Sequence, residues 1–91
     1  MCRNIRILYN MDPPTSREEI RDAALQYVRK VSGMQKPSRA NGAAFDHAVE
    51  AIAHVTDHLL ADLVTTSPPR DREVEAARRR ARAEKRFGRA A

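Results

Sequence analysis

Residues 38–64 read SRANGAAFDHAVEAIAHVTDHLLADLV, and the spacing of apolar positions within them decides the fold class. From Asn41 onward the apolar side chains include Ala44, Phe45, Ala48, Val49, Ile52, Ala53, Val55, Leu59, Leu60, Leu63 and Val64. Steps of three, four and seven are the period of a helix, whereas a half-buried strand alternates every second residue. At ~100° per residue these positions cover a broad arc centred near Phe45, Ile52 and Leu63, so the segment is expected to need partners on more than one side. Leu59 belongs to this arc and is expected in the core. The opposite face carries His47, Glu50, His54, His58, Asp62 and Thr65. Ser38 and Asn41 are both candidate N-caps. The run Thr65-Thr66-Ser67-Pro68-Pro69 ends the helix, because Pro68 disfavours helical geometry at Ser67 and neither proline can donate a backbone hydrogen bond.

The segment before it is the best delimited of the chain. Thr15-Ser16-Arg17-Glu18-Glu19 offers two overlapping capping boxes, Thr15 with Glu18 and Ser16 with Glu19. Ile20, Ala23, Ala24, Tyr27, Val28 and Val31 then form one stripe, widened by Leu25. Arg29 and Lys30 suit the negative end of a helix dipole, and Gly33 is placed to terminate the helix. The connection Gly33-Met34-Gln35-Lys36-Pro37-Ser38 is short enough to make two helices, Ser16–Val31 and Asn41–Val64, antiparallel neighbours.

The two ends of the chain are less regular. In Met1 to Met11, the alternation of Ile5, Ile7, Tyr9 and Met11 suits a strand, while Ile5, Leu8 and Tyr9 suit one face of a short helix. No partner strand is visible in the sequence, which favours the short helix. Asp12-Pro13-Pro14 breaks whatever precedes it. From about Arg70 to Phe87 the chain is helical by propensity, with Val74, Ala77 and Ala81 as a thin apolar stripe and Phe87 as its only large apolar residue.

Charge divides the chain unevenly. Residues 1–68 hold eight Lys/Arg and eight Asp/Glu, whereas residues 69–91 hold nine against four, which is the whole net charge of +5. The expected architecture is therefore all-α. A short N-terminal segment and an antiparallel hairpin with one long central helix make a small domain over residues 1–68. A basic helical appendage follows over residues 69–91. No apolar run approaches the ~18–20 residues of a membrane span. The N-terminus has no signal-peptide core. A single cysteine excludes an internal disulfide framework and fits a reducing compartment, so a cytoplasmic location is expected.

Several short strings recur in an order that resembles a known family. Met1-Cys2-Arg3-Asn4-Ile5 is followed by Asp12-Pro13-Pro14, Glu18-Glu19-Ile20-Arg21, Val28-Arg29-Lys30, Lys36-Pro37-Ser38, Phe45-Asp46 and Pro68-Pro69-Arg70-Asp71-Arg72-Glu73. Together they resemble a family of short bacterial proteins classed as a domain of unknown function. The resemblance spans nearly the whole chain; it implies a bacterial, cytoplasmic protein and no particular activity. Ile7-Leu8-Tyr9-Asn10, Glu18-Glu19-Ile20 and Phe45 also resemble the helix order of J-domain co-chaperones. The His-Pro-Asp loop of that family is replaced here by Gly33-Met34-Gln35-Lys36-Pro37-Ser38, so this likeness concerns helix packing.

Three groups of residues carry candidate chemistry. His47, His54 and His58 share one face of the long helix, and His54 and His58 could reach one divalent metal. The intervening Val55-Thr56-Asp57 lacks the base of an H-E-x-x-H site, however, and the stripe lies opposite the apolar arc. A solvated face is expected, and no metal or cofactor is assigned. Cys2 lies beside Arg3 and Arg6, which favour a thiolate, and loss of Met1 would leave its own amine as a base. No orienting partner can be assigned to it, and catalysis is not expected of so small a helical core. The third group is Arg78, Arg82, Lys85, Arg86 and Arg89, which share one side of a helix with Arg79 at its edge. A one-sided row of cations suits phosphate, and without interleaved aromatic residues it suits non-sequence-specific nucleic-acid binding. An acidic protein surface is the competing partner, and the wide apolar arc of the long helix makes a homodimer, or a helix-in-groove contact with another protein, a third expectation.

Overall fold

A computed structural model of the chain describes residues 5–88. The fold is all-α apart from one pair of two-residue strands. The order is β1 (Met11–Asp12), α1 (Arg17–Ser32), a 3-10 turn (Arg39–Asn41), α2 (Gly42–Asp62), β2 (Arg70–Asp71) and α3 (Arg72–Gly88). The chain falls into two compact units. One comprises the residues up to Tyr9 together with Thr15–Thr65, the other Asn10–Pro14 together with the residues from Thr66 on.

The first unit is the helical hairpin, and local chemistry sets the limits of α1. Of the two capping boxes on offer, Ser16 with Glu19 forms: the Ser16 hydroxyl accepts from the Glu19 N–H at 3.2 Å, and the Ser16 N–H donates to Glu19 Oε1 at 3.0 Å. Thr15 is used otherwise, its hydroxyl donating to the Leu8 carbonyl. At the other end Gly33 takes a left-handed conformation, φ 73°, and its N–H closes on the Arg29 carbonyl at 2.9 Å. This is the geometry that only glycine adopts without a Cβ penalty.

α2 begins through the 3-10 turn. Ser38 and Asn41 stand at the cap positions of the turn and of the helix, but neither side chain caps a backbone N–H. Instead Asn41 Nδ2 donates to Ser38 Oγ at 2.9 Å. The helix ends at Asp62, and Leu63 already has an extended backbone.

The core is narrow. Ile20, Ala24 and Val28 of α1 and Phe45 and Val49 of α2 are buried, Val49 with 1% exposure. Leu25, Met34, Ala48, Ile52 and Ala53 pack around the cluster. The covered face of α2 is thus centred on Phe45, Val49 and Ile52, and the arc does not stay covered to the helix end. Leu59 is 53% exposed and Leu63 45%, against the expectation that both lie in the core. The reason is length: α1 has 16 residues and α2 has 21, so the shorter helix runs out first. Arg21 and Glu50 join the two helices at 2.8 Å on the exposed side, where such a pair contributes at most about 1 kcal/mol.

Among the described residues the expected N-terminal helix does not form: residues 5–8 are irregular, and Met11–Asp12 is a strand. Its partner, invisible as a strand in the sequence, is Arg70–Asp71, paired in parallel as Met11 with Arg70 and Asp12 with Asp71. Cys2 and Arg89 lie outside the described residues.

Candidate functional site

The second unit positions the cations of α3, and it is built around two proline pairs. Asn10, at φ 58°, occupies the left-handed region that asparagine tolerates better than most residues. Its side-chain amide donates to the carbonyls of Ser67 (3.3 Å) and Pro68 (3.0 Å), and its own carbonyl accepts from the Arg70 N–H at 2.6 Å. Proline has no N–H but keeps a full acceptor, and this unit uses those of Pro13, Pro14 and Pro68. The Asp12–Pro13 peptide is cis. Arg72 donates from Nε to the Pro13 carbonyl at 2.7 Å and from Nη2 to the Pro14 carbonyl at 3.1 Å.

α3 starts immediately beyond this join. Asp71 Oδ1 accepts from the N–H groups of Glu73 (2.8 Å) and Val74 (3.0 Å), which makes it the helix cap. Helix therefore begins at Arg72, two residues later than the sequence expectation. Glu73 and Glu75 lie in the first turn and Lys85 and Arg86 in the last, each sign at the dipole end that favours it. The more covered side of the helix is not the apolar stripe expected for it. Val74 is 46% exposed, and Ala77 and Ala81 are exposed, whereas Arg72, Glu75, Ala76 and Arg79 are half-buried. Arg72 is held by the proline carbonyls, and this turns its own flank of the helix inward.

The same contacts sort the cations. Arg70 and Arg78 both reach Glu75 Oε1 at 3.4 Å, so one carboxylate with only 15% of its side chain exposed engages two guanidiniums. Arg82, Lys85 and Arg86 are exposed, Arg79 is half-buried, and these four form no ion pair among the described residues. Of the six candidate residues, then, four stand available along one side of α3, Arg78 is shared with Glu75, and Arg89 lies outside the described residues. Arg80, exposed on the far side of the helix, is a further cation that the one-sided projection passed over.

The other candidates among the described residues belong to the first unit. His47, His54 and His58 are all exposed, and the rings of His54 and His58 lie 4.6 Å apart, tilted by 60°. Among the described residues no three His, Cys, Asp or Glu side chains are grouped to hold a metal ion. A depression of about 320 Å³ in the first unit is lined by Arg6, Leu8, Glu19, Asp22, Ala23 and Gln26, with no histidine, cysteine, serine or threonine among them. Among the described residues no helix is long and apolar enough to cross a membrane.

A family profile described as an uncharacterized conserved protein, DUF2277, matches residues 1–78. The chain belongs to this family. The DUF2277 span includes both proline pairs, Asn10, the Arg70–Arg72 join and the first two turns of α3, and it closes at Arg78. Arg79, Arg82, Lys85, Arg86 and Arg89 fall beyond it. No curated protein and no solved structure is detectably similar to the chain.

Proposed function

We propose that this DUF2277 protein is a non-catalytic binding module that holds nucleic acid weakly, without sequence preference, through α3. The observation that carries the reading is the row Arg79, Arg82, Lys85 and Arg86, in a segment that holds the entire charge surplus of the chain. Arg78 adjoins the row at its start, and the sequence spacing continues to Arg89. Cations fixed at helical spacing on one side can follow a phosphate backbone, and phosphate contacts position a protein without reading sequence. Between Arg79 and Arg86 there is no aromatic residue, so stacking on bases adds nothing there. The neutral hairpin is the carrier. The matched family span closes at Arg78, and Arg79, Arg82, Lys85 and Arg86 lie beyond it.

A salt titration tests the reading. Binding to duplex DNA should weaken with a log–log slope of about −0.9 per phosphate contact, and four to six cations set an upper limit of about that many contacts. Changing Arg82, Lys85 and Arg86 together to Ala should flatten the slope and weaken binding equally across unrelated sequences. No detectable binding of the wild type at low salt would remove the reading and leave an acidic protein surface as the partner of α3.

A further inference from the structure

The uncovered end of α2 presents an ordered surface. Ala51, Val55 and Leu59, with Leu63 at the C-cap, follow one another four residues apart, and all are exposed, Val55 at 67%. A row at this spacing is a ridge of the kind that packs into the groove of another helix. It flanks the Phe45, Val49 and Ile52 face that α1 covers, and its outer neighbours are the exposed His54 and His58.

We propose that this ridge is the contact surface for a second copy of the chain, packed α2 against α2 about a two-fold axis. Three observations select that occupant. The first is area. Val55, Leu59, Leu63 and the adjoining Val64 leave on the order of 400 Å² of apolar surface open, about half of the ~800 Å² per partner that a stable interface takes and close to its usual apolar share. The second is charge. The four ridge side chains are uncharged, with the exposed Asp62 beside Leu63, and residues 1–68 balance eight Lys/Arg with eight Asp/Glu, so the surplus of +5 that two copies would oppose is confined to residues 69–91. The third is geometry. Two rows of four-residue spacing interdigitate in the commonest class of helix packing, and an identical ridge on both sides closes as a dimer.

The test is the mass of the full chain in solution, followed from low to high micromolar concentration without nucleic acid. Its failure is therefore separable from failure of the binding reading for α3. The wild type should double in mass, while Val55→Glu and Leu59→Glu stay at the single-chain mass with unchanged helix content. A wild type that remains a monomer throughout, or variants that dimerise as the wild type does, would overturn the proposal. Should both variants unfold, cross-linking decides. In a Cys2→Ser background, Val55→Cys should link to itself under mild oxidation and His47→Cys should not. Equal linking at the two positions would show that another face is in contact.

Discussion

Arg72 Nε donates to the carbonyl oxygen of Pro13 at 2.7 Å, across 59 residues of chain. With the second bond to Pro14, one planar guanidinium spans two successive carbonyls that belong to residues unable to donate in return. Lysine at this position keeps the charge but has no rigid fork to span both acceptors. Arg72→Lys should therefore cost about 1 kcal/mol and Arg72→Ala about 1–2 kcal/mol, towards the lower end because the bonds are exposed. Thermal unfolding measures both, and melting indistinguishable from the wild type would show that the join contributes nothing to stability.

Asp71 carries the start of α3. Asp71→Ala removes the acceptor for the Glu73 and Val74 N–H groups and should cost about 1 kcal/mol, while Asp71→Asn keeps most of the capping. Amide exchange locates the effect: protection should fall in the first turn of α3 in the alanine variant. A loss spread evenly along the helix would speak against local capping.

How far the sequence could be read depends on whether the controlling forces were local. The Ser16 and Glu19 box, the left-handed Gly33 and the helical period of α2 each act within a few residues, and all were legible. The pairing of Met11–Asp12 with Arg70–Asp71 was not, because a two-residue strand has no period to detect. Nor could Asn10 be matched to Ser67 and Pro68, since polar contacts 57 and 58 residues apart leave no local trace. The one-sidedness of the α3 cations follows from spacing alone, but that Glu75 would engage Arg70 as well as Arg78 required the strand that ends beside it. Asp71 could have been found: an Asp just before a helical segment is a standard cap. The burial of Leu59 was misjudged because periodicity identifies an apolar face and not how far a partner extends along it.

That last point separates two positions on the same helix. Phe45 is a buried member of the cluster, and Phe45→Ala should cost about 3–5 kcal/mol, close to the whole stability of a small domain. Leu59→Asp should leave the hairpin folded, within about 1 kcal/mol of the wild type when measured on the single chain. Denaturant melts of the two variants side by side provide the check. A Leu59→Asp variant that unfolds like Phe45→Ala would place Leu59 under cover in solution.

Gly33 isolates a backbone effect. A Cβ built there meets nothing within 4 Å, so the cost of Gly33→Ala comes from φ 73° and not from a clash. It should be about 1 kcal/mol, and Gly33→Asn should cost less because asparagine tolerates the left-handed region better. Equal destabilisation by the two substitutions would point away from the backbone dihedral as its source.

Glu75 couples the stability of the second unit to the charge that α3 offers. Its carboxylate stands between Arg70 and Arg78, and both contacts are long at 3.4 Å for charge-assisted bonds. Glu75→Gln keeps an acceptor in place but removes the charge, and with Arg70 and Arg78 40% and 63% exposed the loss of stability should be no more than about 1 kcal/mol. The same change releases Arg78 towards the row formed by Arg79, Arg82, Lys85 and Arg86. If that row follows phosphates, Glu75→Gln should tighten binding at low salt and steepen the log–log salt slope by at most about 0.9, the value of one added contact. Adding Arg78→Ala to Glu75→Gln should cancel the extra slope, since the two changes act through one pair and are not independent. Anisotropy titrations of the single and double variants at several salt concentrations measure all of this. A slope unmoved by Glu75→Gln would take Arg78 out of the binding row.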